Sequence, residues 1–86
     1  MGLDTIELIV AIEDKFEITI PNADAPKLAV LGDMHKYIVQ ALRRRDQTPD
    51  EAQVWESLKL IVVDLLAVRP DEVTRSAHII HDLRAR

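Results

Sequence analysis

The chain has 86 residues, enough for one domain with one core, and 48% of them are apolar. It has no cysteine, which excludes disulfides, thiol nucleophiles and thiolate metal sites. Its formal net charge is −4 and its only tight basic cluster is Arg43-Arg44-Arg45, a poor balance for a nucleic-acid binder.

Leu3 to Glu17 reads as a helix. Leu3, Ile6, Ile9, Val10, Ile12 and Phe16 recur mostly at steps of three and four. Asp4, Glu7, Glu13 and Asp14 give it an acidic outer side. Ile18-Thr19-Ile20-Pro21 follows as an extended loop, because Pro21 disfavours a helical Ile20 and no partner strand is at hand. Ala23 to Leu28 reads as a short helical turn limited by Pro26. The next helix is expected to start at Gly32-Asp33 with Asp33 as its cap, to bury Met34, Ile38, Val39, Ala41 and Leu42, and to close on the three arginines.

Residues 46–53 read as the linker, with Thr48-Pro49-Asp50-Glu51 fitting a capping box. A helix to about Val68 then buries Val54, Leu58, Ile61, Val62, Leu65 and Leu66. Trp55, Leu60 and Val63 are apolar on what would be its other side, a candidate oligomer face. Arg69 to Val73 is a turn with a single helical turn in it, and Ile79, Ile80 and Leu83 are expected to point inward from the last segment. With few turn glycines and helical spacing throughout, the fold class is all-α. No apolar run reaches the ~20 residues of a membrane helix, and no export-type signal opens the chain, so no membrane insertion and a cytoplasmic location are expected.

Two stretches resemble a known family. Gly2-Leu3-Asp4-Thr5-Ile6-Glu7-Leu8, Ile12-Glu13-Asp14-Lys15-Phe16, Ile18-Thr19-Ile20-Pro21, Ala25-Pro26-Lys27-Leu28, Gly32-Asp33 and Tyr37-Ile38 resemble, in order, the second half of acyl carrier proteins. Ile61 to Val68, Pro70-Asp71-Glu72-Val73-Thr74 and Ile79-Ile80-His81-Asp82-Leu83 resemble the first half. The resemblance implies a single domain over 1–86 in circularly permuted order. Residues 1–45 correspond to the second half and 54–86 to the first. It implies a carrier-type bundle of three main helices and a short one, with residues 2 and 86 as neighbours.

The family joins its 4′-phosphopantetheine arm to a serine that opens the second helix in Asp-Ser-Leu-Asp. Gly2 stands in that place here. Thr5 falls one turn further on, and neither Ser57 nor Ser76 precedes a Leu-Asp pair. The expectation is therefore a non-catalytic, carrier-like interaction module with no cofactor. Asp4, Glu7, Val10, Glu13 and Asp14 would meet basic docking patches on enzymes of fatty-acid, polyketide or related pathways. Lys15 departs from the resemblance, which implies an acid there. The alternatives are a functional carrier with its arm attached elsewhere, a homodimeric structural protein built on the Trp55 side, and an exchange of halves across the linker.

Other constellations are weaker. His35, His78 and His81 lack a carboxylate set to complete a metal site. Ser57, His81 and Asp82 lack the nucleophile elbow and oxyanion loop of a hydrolase.

Overall fold

The computed structural model describes residues 3–83. Three helices make up the frame: α1 (Leu3–Phe16), α2 (Leu31–Arg44) and α3 (Glu51–Leu66). Two 3₁₀ turns, Ala25–Leu28 and Pro70–Glu72, sit in the connections. Among the described residues there is no strand, only an isolated antiparallel bridge between Val30 and His78. This is an all-α bundle in which α3 packs against both α1 and α2. Where residues 2 and 86 lie relative to one another falls outside the described residues.

The helix starts follow two different rules. For α3 the cap is Asp50, whose carboxylate accepts the N–H groups of Ala52 and Gln53 at 3.0 and 3.3 Å. The capping box expected at Thr48 does not form, and the linker ends at Asp50 rather than reaching residue 53. Helix α2 has no side-chain cap, and it starts at Leu31 with Val30 before it. Asp33, expected to be the cap, lies inside the helix. Its first N–H groups are satisfied from across the fold. Leu31 donates to the Ala77 carbonyl at 3.0 Å and Gly32 to that of Arg75 at 2.7 Å. A Cβ on Gly32 would stand 2.9 Å from that Arg75 oxygen, so the approach needs glycine.

All three helices stop at a left-handed residue that is not glycine: Glu17 (φ 55°), Asp46 (φ 59°) and Ala67 (φ 53°). After α1 and α2 the turn closes with long backbone bonds, Ile18 N–H to Glu13 at 3.2 Å and Gln47 N–H to Leu42 at 3.2 Å.

The core is aliphatic. Leu8, Ile12, Leu31, Met34, Ile38, Leu58 and Val62 are fully enclosed. Ile18 and Ile20 are buried from the extended loop, as their spacing predicts, and Ile79 and Leu83 from the last segment. On α1 the buried line is Thr5, Leu8, Ile9 and Ile12, so Ile6 and Val10 point outward. The last segment is a run of turns rather than a helix. This turns Ile80 out (46% exposed) against expectation. Leu65 is likewise exposed at the end of α3, and Ile61 and Leu66 are only half-buried.

Candidate functional site

The outer side of α1 carries two kinds of group. Ile6 and Val10 are 46% and 48% exposed, and Asp14 continues their line at the next step of four. Asp4, Glu7 and Asp14 are all exposed beside them. Among the described residues, no hydrogen bond or ion pair involves these three carboxylates. Glu13 differs from the other acids of the predicted face. It is half-buried, and its Oε2 accepts the Ile20 N–H at 2.9 Å, so it fastens the extended loop to α1.

Some acids elsewhere are tied into the fold, while the carboxylates of Glu17, Asp33, Asp46, Glu56 and Asp64, like those of α1, have no partner among the described residues. Asp24 accepts the Tyr37 hydroxyl at 3.1 Å and lies 3.7 Å from Lys27. Burial of the half-enclosed Tyr37 ring, then this bond to Asp24, raises the phenol above its ordinary value. Glu51 pairs with Arg43 at 3.4 Å, Glu72 with Arg69 at 3.1 Å, and Asp82 accepts the His78 N–H at 2.8 Å. Of the arginine cluster, Arg43 serves Glu51 and Arg45 donates to the Glu17 carbonyl.

The three side chains of the predicted oligomer face differ in exposure. Leu60 is 66% exposed, whereas Trp55 and Val63 are half-buried against the core. Trp55 lies under the Arg75 guanidinium, 4.6 Å from the ring centre, and edge-on to buried His35. This His35–Trp55–Arg75 cluster is not legible in the sequence, where Arg75 is only a polar residue in a loop.

The hydroxyls of Thr5, Ser57 and Ser76 lie in different surroundings. Thr5 is 3% exposed, and its oxygen has no partner among the described residues. Ser57 is half-buried in mid-α3, beside Asp46–Asp50. Ser76 is exposed, but it lies in the loop after α3 and shares a 3.5 Å contact with Thr74. None of the three opens a helix. Gly2 lies outside the described residues. His78 and His81 do meet, with ring centres 4.2 Å apart, although their segment is not helical. Among the described residues no group of three or more histidine, aspartate or glutamate side chains is placed to hold a metal ion. No helix among them is long and apolar enough to cross a membrane.

No family model matches the chain, and no solved structure matches it. A 37-residue segment does match acyl carrier proteins. It is 50% identical to that of Wolinella succinogenes, covering 43% of this chain and 49% of the relative. It is 56% identical to that of Campylobacter jejuni, over 43% and 48%, and 53% identical to that of Helicobacter pylori, over 43% and 47%. The chain spans about half the length of the curated relatives it matches. Through this segment the chain is related to acyl carrier proteins.

Proposed function

We propose that this chain is a non-catalytic, acyl-carrier-like interaction module, with its two halves in permuted order and without the serine that would hold a prosthetic arm. The observation that carries the reading is the outer side of α1. Exposed Ile6 and Val10 lie among Asp4, Glu7 and Asp14, whose carboxylates have no hydrogen-bond or ion-pair partner among the described residues. An apolar strip rimmed by unused acids suits a partner with a basic patch around an apolar hollow, where the charges orient and the apolar contact holds.

Two findings support the permuted order. The match to relatives covers about half of each chain, as it would if one half aligns and the other lies at the wrong end. The short stretch from Arg45 to Asp50 also bridges the end of α2 and the start of α3. That junction is closed by the Arg43–Glu51 pair and by a 2.8 Å bond from His35 Nε2 to the Glu51 carbonyl. Partners would be enzymes of fatty-acid, polyketide or similar biosynthesis, in the cytoplasm.

The test is intact mass after incubation with coenzyme A and a broad-specificity phosphopantetheinyl transferase, beside a carrier that is modified. The native chain is expected to gain nothing, while Gly2→Ser gains one phosphopantetheine. A gain by the native chain overturns the non-carrier reading, and peptide mapping then places the arm. Failure of Gly2→Ser to react removes the support for that residue as the serine's counterpart.

A further inference from the structure

We infer that the loop 75–82 is a proton-sensitive latch, closed over the start of α2 while His35 and His78 are neutral and released when they take up a second proton. This does not depend on the chain being a carrier-like module.

His35 is buried, and both of its ring nitrogens are engaged. Its Nε2 is 2.8 Å from the Glu51 carbonyl, which can only accept, so Nε2 bears the hydrogen. Its Nδ1 is 3.0 Å from Arg75 Nη1, which can only donate, so Nδ1 is bare. A single neutral tautomer satisfies both. Arg75 is also held over the Trp55 ring, and its carbonyl receives the Gly32 N–H. One imidazole lone pair thus helps to dock the loop on α2 and α3 together.

At the far end of the loop, His78 Nδ1 accepts two backbone N–H groups, from Ile80 and His81, at 3.1 Å each. It too must be bare. Its own backbone N–H is held by Asp82, and the Val30 bridge and the Ile79 N–H to Ala29 bond tie this end to the entry of α2.

Histidine ordinarily changes charge between about pH 5 and 8. A second proton on His35 lands on Nδ1 and faces the Arg75 guanidinium, donor against donor and cation against cation. The other charges around the ring offer little relief. The Glu51 carboxylate of α3 is paired with Arg43, while Asp33 and Lys36 of α2 border the same cleft with opposite signs. A proton on His78 evicts two amide donors. The neighbouring His81 ring adds to the repulsion once charged, and the Asp82 carboxylate offsets part of it. Across the bridge, Ala29 and Val30 carry no charge. His35 is therefore the main trigger and His78 the second.

The Gly32 amide reports the latch, because it donates to the Arg75 carbonyl. Its hydrogen-exchange protection, corrected for intrinsic pH dependence, is expected to fall about tenfold between about pH 7.5 and 5.5, the scale of one lost charge-assisted hydrogen bond. Gly32 exchange should be nearly independent of low urea concentrations, as for a local opening, whereas exchange at buried Ile12 in α1 should rise with urea as for global unfolding. His35→Gln keeps an acceptor for Arg75 and a donor for Glu51 without a titrating proton, so its Gly32 protection should fall several-fold less than that of the native chain, the remainder coming from His78. Arg75→Ala, with the latch already open, should show low protection at both pH values. An unchanged native Gly32 amide overturns the inference. So does Gly32 exchange with the same urea dependence as Ile12, which would mean that this amide opens only with the whole fold. So does a tenfold fall retained in His35→Gln or, should that variant not fold, in Arg75→Ala.

Discussion

The outer side of α1 and the junction of α2 with the loop 75–82 are both rich in charge, yet they use it in opposite ways. At the junction several charged or polar side chains have a named internal partner: His35 with Arg75 and Glu51, Glu51 with Arg43, His78 with its own turn. On α1 the exposed acids Asp4, Glu7 and Asp14 have none among the described residues, and two apolar side chains stand out between them. Charge that is hydrogen-bonded inside the fold sets geometry. Charge left unpaired on a helix surface adds little to stability, and under the proposed function it orients an approaching partner.

Within α1, the contrast can be broken first by truncation. Ile12 is fully buried, and Ile12→Ala should cost about 3 kcal/mol in urea unfolding. Val10→Ala, on the outward side, should cost less than about 0.5 kcal/mol. A comparable loss at both positions would mean that Val10 is packed, and the docking strip would disappear. A pair of acids comes next. Asp50→Ala removes the cap of α3 and should cost about 1 kcal/mol. Asp14→Asn should stay within about 0.5 kcal/mol of the native chain.

Smaller effects sharpen the picture of the internal network. Ala67→Gly relieves the left-handed stop of α3 and should raise stability by about 0.5 to 1 kcal/mol, read from the denaturation midpoint. Tyr37 is the only tyrosine, so an ultraviolet absorbance titration reads it alone. Its phenol should ionise at higher pH in the folded chain than after unfolding, first because it is buried and second because it donates to Asp24. A proton held more tightly in the fold stabilises it below the unfolded phenol's range. That contribution is lost as pH rises through the raised folded value. Tyr37→Phe should flatten this alkaline loss, and Asp24→Asn should reduce it.

Periodicity made the frame legible. The limits of α1, the buried pair Ile18 and Ile20, and the Val54-Leu58-Val62 ridge all follow from steps of three, four and two along the chain. What escaped was decided between competing local signals or from a distance. Thr48 and Asp50 are both good caps, and only the backbone path shows that Asp50 wins. Asp33 has the right chemistry to open α2, but carbonyls of residues 75 and 77 had already supplied its first turn from across the fold. Leu8 and Ile6 are equally apolar, and which of them faces the core depends on where α3 lies. For the candidate site, the acids of α1 were visible as residue types. That Glu13 is used inside the fold while its neighbours are not needed the position of the Ile20 amide.

The non-glycine stops at Glu17, Asp46 and Ala67 have a consequence for the pieces of this protein. A glycine ends a helix wherever the helix finds itself. An alanine does so only when the rest of the molecule pulls the chain aside, since its own preference is to continue the spiral. Cut out as a peptide, residues 51–69 should therefore show helical character at Ala67 and Val68, where the intact chain has none. The punctuation of α3 is written in the tertiary structure, and a fragment would read straight through it.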